Sequence, residues 1–173
     1  MRMKGLLAGA AVLGLSGCAA AGAIANTHTV TLRDSAGRTV GTALLTPATE
    51  GVQVVLSASG LPAGVHGVHI HQTGQCDAPD FTTAGGHFNP ASRQHGFENP
   101  NGAHAGDLPN ITVRSDGTAA ADVFAAGVSL SGGPNALLDG DGSALVVHAG
   151  VDDYRTDPSG NSGPRIACGV VQR

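Results

Sequence analysis

The chain has 173 residues, a formal charge of −4, four Phe, one Tyr and no Trp, which fits a single domain with a real buried core. Gripping phosphates takes clustered Lys and Arg, so the acidic balance speaks against a nucleic-acid partner. The scarcity of aromatics speaks against stacking on bases or sugars.

Met1 to Gly17 carries Arg2 and Lys4 ahead of the uncharged run Gly5 to Gly17. This is the layout of a secretory signal peptide, and the run is too short to cross a bilayer. Leu15-Ser16-Gly17-Cys18 resembles the lipobox of bacterial lipoproteins. It implies cleavage before Cys18 and acylation of its sulfur, with residues 18–26 a flexible tether. The exported chain would then be held at the cell envelope, periplasmic or outer surface, touching membrane only through its lipid. Ordinary cleavage near Ala23 or Ala25 is the alternative. Losing Arg2 and Lys4 leaves seven cations against 13 anions, a formal charge of −6, and no lysine. An anionic substrate would therefore need local steering.

From residue 27 to 173 helical periodicity is hard to find. Short alternating runs bounded by Gly, Asp, Asn or Pro recur instead. Thr29–Arg33 and Arg38–Thr46 flank the turn Asp34-Ser35-Ala36-Gly37, and Gly51–Ser59 follows with Val52, Val54 and Leu56 on one face. Val65–His71, Ile111–Arg114, Thr118–Phe124, Ser143–Ala149 and Ile166–Val171 complete about eight strands, predicting an all-β sandwich or barrel. Residues 72–110 and 150–164 are long, Gly-, Pro-, Asn- and Asp-rich segments, the kind of loop that carries function.

Cysteine counting leaves Cys76 and Cys168 as an even pair in an exported chain, which predicts a disulfide. Such a crosslink would add about 4 to 5 kcal/mol in the chain-entropy account.

Six of the eight histidines fall in the first long loop or at strand ends beside the two loops. His69 and His71 are spaced i, i+2, so on a strand both imidazoles leave one face and can reach one metal. Alone, a His-x-His is more often a surface pair. Downstream, His87, His95, His104 and Asp107 share one loop. Three imidazoles and a carboxylate form a closed tetrahedral set suited to Zn²⁺, and neutral imidazoles also suit Cu²⁺. His148 ends the apolar run Leu145-Val146-Val147, where a polar group at a core edge needs a partner.

Gly67-Val68-His69-Ile70-His71, Gly86-His87-Phe88-Asn89-Pro90, His95-Gly96, His104-Ala105-Gly106-Asp107-Leu108 and Gly163-Pro164-Arg165-Ile166-Ala167-Cys168-Gly169-Val170 resemble, in order, the signatures of copper/zinc superoxide dismutases. The resemblance spans residues 27–173 and implies an eight-stranded Greek-key, immunoglobulin-like β-sandwich with two functional loops. It implies copper on His69, His71, His87 and His148, and zinc on His87, His95, His104 and Asp107, one ion of each per subunit, with His87 bridging. Asp152 matches a carboxylate linking a copper ligand to a zinc ligand. His66 matches a supporting histidine that binds no metal, and Arg165 an anion guide beside copper.

The implied activity is the conversion of two superoxide anions and two protons to O₂ and H₂O₂. Copper changes oxidation state, zinc is structural, and His87 carries one proton. One competing reading is a copper-delivery lipoprotein on the same fold without turnover. It predicts a degraded site, yet Arg165 and His87 are present. A copper-only dismutase would lack His95, His104 and Asp107, and a zinc hydrolase would keep an open metal position. Monomer and homodimer both remain open.

Overall fold

A computed structural model describes residues 27–173. The expected leader, Cys18 and the expected tether lie outside them. Among the described residues nine strands form: β1 (His28–Asp34), β2 (Thr39–Ala48), β3 (Gly51–Ala58), β4 (Gly64–His66), β5 (Val68–His71), β6 (Ile111–Val113), β7 (Ala119–Ala126), β8 (Ser143–His148) and β9 (Arg165–Val171). The described residues contain no α-helix, only the 3-10 turn Thr82–Ala84. Seven strands build one curled antiparallel sheet in the order β5-β8-β9-β1-β2-β3-β7, and β4 and β6 pair as a second, small sheet. The all-β expectation holds, and the order is consistent with a Greek-key sandwich.

The period-2 pattern does the folding work. Val30 and Leu32 of β1, Ala43 and Leu45 of β2, and Val52, Val54 and Leu56 of β3 are buried, and Leu61, Ile111, Val113, Leu137 and Val147 join them in the main core. The β1–β2 turn closes where expected. Asp34 Oδ1 accepts the Ala36 and Arg38 backbone N–H groups, and Gly37 supplies the left-handed backbone, φ 77°.

β8 is buried along its whole length. It lies between β5 and β9 in the sheet and also has a core on each face. Leu145 and Val147 enter the main core, while Ala144 and Val146 pack on Phe81, Ala84, Cys76 and Cys168. That second cluster staples the first long loop onto the sheet. It includes the disulfide expected from cysteine counting, Cys76–Cys168, with Cα atoms 5.7 Å apart.

One expected element differs. The run Val65–His71 is two strands, because Gly67 is taken by the second long loop. Its N–H donates to Gly150 O at 2.8 Å, and its carbonyl accepts from His148 N at 2.9 Å. A Cβ on Gly67 would come within 2.9 Å of Ser162 Cβ and 3.3 Å of Asp152 Cβ. β4 therefore pairs with β6 and β5 with β8, which sets His69 and His71 beside the loop that carries Asp152.

Candidate metal centre

All the residues singled out as ligands are buried, His69, His71, His87, His95, His104, His148 and Asp107, and so is the linking carboxylate Asp152. β5 supplies His69 and His71, β8 ends in His148, the first long loop supplies His87, His95, His104 and Asp107, and the second supplies Asp152. Isolated bridges His69↔Asp107 and His71↔His87 clamp that loop along β5. Ile70 N–H donates to Gly106 O, and Phe88 N–H donates to Ile70 O, each at 2.8 Å. Gly106 is needed there, since a Cβ would come within 2.2 Å of Ile70 O.

Two donor groups result. One donor atom from each of His69, His71, His87 and His148 falls within 4.8 Å of the others, and the Nε2 atoms of His71 and His148 lie 3.4 Å apart. The far nitrogens are occupied: His71 Nδ1–H donates to Gly85 O at 2.9 Å and His148 Nδ1–H to Gly163 O at 3.0 Å. His69 Nε2–H donates to Asp152 Oδ2 at 2.8 Å. That leaves His69 Nδ1 and His87 Nε2, which are buried with no hydrogen-bond partner. Orphaned buried polar atoms are costly, and a cation among these nitrogens satisfies both.

The second group is tighter. The Nδ1 atoms of His87, His95 and His104 lie 2.9, 3.0 and 3.2 Å from Asp107 Oδ1, and those of His87 and His104 lie 3.2 Å from each other. A tetrahedral ion with bonds of about 2.0 Å needs donors roughly 3.3 Å apart, so these donors fit zinc with little movement. His69 also falls within reach of this group, but its Nε2 is bonded to Asp152, which leaves one nitrogen, Nδ1, to serve either group. Asp107 Oδ2 accepts the backbone N–H of Gly96 and His104.

Asp152 ties the two groups together. Its Oδ2 takes His69, and its Oδ1 lies 3.0 Å from His95 Nε2. Asn110 grips its backbone in both directions at 2.9 Å. Gly160, at φ 62°, makes room, because a Cβ would fall 1.9 Å from Asp152 Oδ1. Neither Asn110 nor Gly160 was singled out in the sequence. Nor was Asp157, whose Oδ1 accepts His95 N–H at 2.6 Å. His66 binds neither group; its Nδ1 is 2.8 Å from His148 O and its Nε2 2.9 Å from Pro62 O.

Electrostatics separate the groups. Burial, joined by neighbouring histidines, pushes His71 down to about 2 and His148 to about 3, and burial takes His87 to about 4, so all three are neutral at pH 7. Burial acts on His95 in the same direction, but Asp107 and Asp152 on either side outweigh it and hold the ring up at about 9. Both carboxylates are held well below the usual range against the cost of burial, Asp107 chiefly by His87 and His95, Asp152 by His69 and His95. Without metal, His95 is thus a cation between two anions.

A cavity of about 510 Å³ opens onto the first group, lined by His71, His87, His148, Pro158, Gly163 and Arg165 among others. Arg165 is fixed by donating to Phe81 O at 2.5 Å and Gly85 O at 2.6 Å. Gly85 O thus serves Arg165 and His71 together.

The family model for copper/zinc superoxide dismutase (SODC) matches residues 39–171. The chain belongs to the copper/zinc superoxide dismutase family. It is 48% identical over 138 residues to superoxide dismutase [Cu-Zn] 1 of Aquifex aeolicus, covering 79% of this chain and 82% of that one. It is 40% identical over 172 residues to the superoxide dismutase [Cu-Zn] of Deinococcus radiodurans, covering 92% and 91%. Among solved structures, a SOD-like protein from Bacillus subtilis superposes with a TM-score of 0.80 at 46% identity, covering 83% of this chain and 97% of that one. Like other copper/zinc superoxide dismutases, the protein is an oxidoreductase that acts on superoxide with copper and zinc as cofactors. The copper-delivery reading finds no support in these comparisons.

Proposed function

We propose that His69, His71, His87 and His148 hold copper, that His87, His95, His104 and Asp107 hold zinc, and that Arg165 draws superoxide to the copper side. One observation carries the assignment: His87 has Nδ1 in the Asp107 group and Nε2 buried, unpartnered, on the side of the other histidines. A single imidazole that faces two donor sets is a bridge.

Copper, when bound, supplies the one-electron couple that oxidises one superoxide to O₂ and reduces a second, which leaves with two protons as H₂O₂. The chain's residues do the rest. His71 and His148 are kept neutral by burial, with Nδ1–H groups tied to carbonyls so that Nε2 faces inward. Asp152 orients His69 and His95 from opposite oxygens. His87 lines the cavity, and its Nε2 is where a proton can be held beside the incoming anion. Arg165, planar and permanently charged, spends two N–H groups on carbonyls and keeps others for an anion.

Metal-free protein should show slow superoxide decay, restored by copper with zinc to one ion of each per chain. Arg165→Ala should lower kcat/KM about tenfold at low salt and keep metal content, since removing a fixed cation weakens capture. Unchanged kcat/KM would end the steering role.

Proton release gives an independent check. Zinc should displace about one proton at pH 7, because His95 must give up its Nδ1 proton to ligate. Copper should displace about one more, from His87, as both its nitrogens become engaged. Titration calorimetry in buffers of different ionisation enthalpy measures both. Because His95 lies above its ordinary 6.5, its ion triad stabilises metal-free protein fully below pH 6.5 and fades as pH rises through about 9. His71, His87 and His148 lie below 6.5 and act oppositely, withdrawing stability as pH falls from 6.5.

For location, the reading is an exported lipoprotein anchored through Cys18, supported by the charged start, apolar run and Leu15-Ser16-Gly17-Cys18. The mature domain then runs from residue 27. Labelled palmitate should enter the full-length chain and be lost in Cys18→Ser. Labelling that persists in the variant rules the anchor out.

A further inference from the structure

The first long loop carries a carboxylate that neither metal group uses. Asp80 is exposed and shares a cavity of about 340 Å³ with Pro79, Thr82, Gly163, Pro164 and Arg165. Gly163 and Arg165 also line the cavity that opens onto the histidines. Asp80 therefore lines a cavity that shares Arg165 with the one opening onto the histidines.

Its carboxylate is held there by the chain. Oδ1 accepts the Thr82 N–H at 3.1 Å and the Thr82 hydroxyl at 2.9 Å, and Thr82 is the first residue of the 3-10 turn Thr82–Ala84. The turn sits between Phe81 and Gly85, whose carbonyls fix Arg165. The Thr82 bonds, with a smaller contribution from Arg165, also hold the carboxyl below its ordinary range, so it is charged at neutral pH. Among the described residues Arg165 has no ion-pair partner within 4 Å, so Asp80 weakens its field without neutralising it.

We propose that Asp80 sets the strength of anion capture: it partly cancels the Arg165 field at the cavity mouth, so the native protein admits superoxide more slowly than its metal site and guide permit. This rests on the reading of Arg165 as the anion guide. Residues 18–173 carry a formal charge of −6, so the net charge opposes an anion and the local balance of Arg165 against Asp80 bears on entry.

Asp80→Asn separates charge from structure, because the amide oxygen can still accept from Thr82. In copper- and zinc-loaded protein at low ionic strength, kcat/KM for superoxide should rise roughly two- to threefold, the effect of removing a unit charge several ångströms away in water. The gain should shrink toward unity as salt rises past 0.1 M, where the screening length is about 10 Å. Azide, a small monoanion that binds Cu²⁺, should gain affinity by a similar factor in an optical titration, a readout that needs no turnover. Asp77→Asn, on the same loop but lining neither cavity, should change neither value.

Equal gains in Asp77→Asn and Asp80→Asn would assign the effect to net charge and overturn the proposal, as would an Asp80→Asn protein with wild-type kcat/KM and azide affinity. If Arg165→Ala lowers capture while Asp80→Asn changes nothing, only the Asp80 proposal fails. If Arg165→Ala also changes nothing, the guide itself is wrong.

Discussion

His87→Ala should abolish superoxide turnover and lower the affinity for both metals by more than about 100-fold. Loss of a residue that merely orients a ligand costs 10- to 100-fold, and His87 is proposed as a direct ligand on two sides. Its Nδ1 lies 2.9 Å from Asp107 Oδ1 and 3.2 Å from His104 Nδ1, so its loss opens the zinc group. Its Nε2 belongs to the set with His69, His71 and His148, so its loss opens the copper group as well.

Among the described residues no other is placed to repair both sides of the gap. His69 is the nearest ring, with centroids 4.0 Å apart, but Asp152 holds its Nε2 and its Nδ1 is already counted in the first donor set. The check is metal content after dialysis against a weak chelator, beside superoxide decay in protein reloaded with both metals. His95→Ala should by contrast release zinc first and leave copper bound. A His87→Ala protein that keeps both ions and turns over would sink the bridge assignment.

Much of the sheet was legible because β-strands write their buried face at every second residue. Thr29–Arg33, Gly51–Ser59 and Ser143–Ala149 were placed within two residues of β1, β3 and β8. The break at Gly67 was not legible, since Val65 to His71 reads as one strand. Its cause is Gly150, Asp152 and Ser162, far along the chain.

The metal-ligand candidates stood out because histidine is rare and its spacing fits metal geometry. Their partners did not. Gly85 O and Gly163 O fix ring orientations, and a backbone carbonyl has the same chemistry at every residue. Gly160 was hidden for the converse reason: its role is the absence of a side chain beside Asp152. Asn110 looked like a loop end, although its amide grips the Asp152 backbone from 42 residues away.

Replacing both Cys76 and Cys168 by serine should destabilise the metal-free protein by about 4 to 5 kcal/mol, given the 92-residue separation of the crosslinked pair. For a domain of this size that is a fall in Tm of roughly 10 to 20 °C. Cys168 is buried with Phe81, Ala84, Ala144 and Val146, so a serine hydroxyl there adds an unpaired polar group to the loss. Function should suffer too, by a traceable route. Arg165 lies three residues before Cys168 on β9, and its carbonyl anchors, Phe81 and Gly85, lie in the loop that the disulfide pins at Cys76. Release of the pin should let Arg165 lose those anchors, so kcat/KM should fall toward the Arg165→Ala value while the histidines still bind metal. Calorimetry and superoxide decay, each with and without reductant for the parent protein, test the two parts separately. A large fall in Tm with unchanged kcat/KM would mean that β9 alone positions the guanidinium. A fall of only a few degrees would mean that Phe81 and its neighbours hold the loop to β8 without the crosslink.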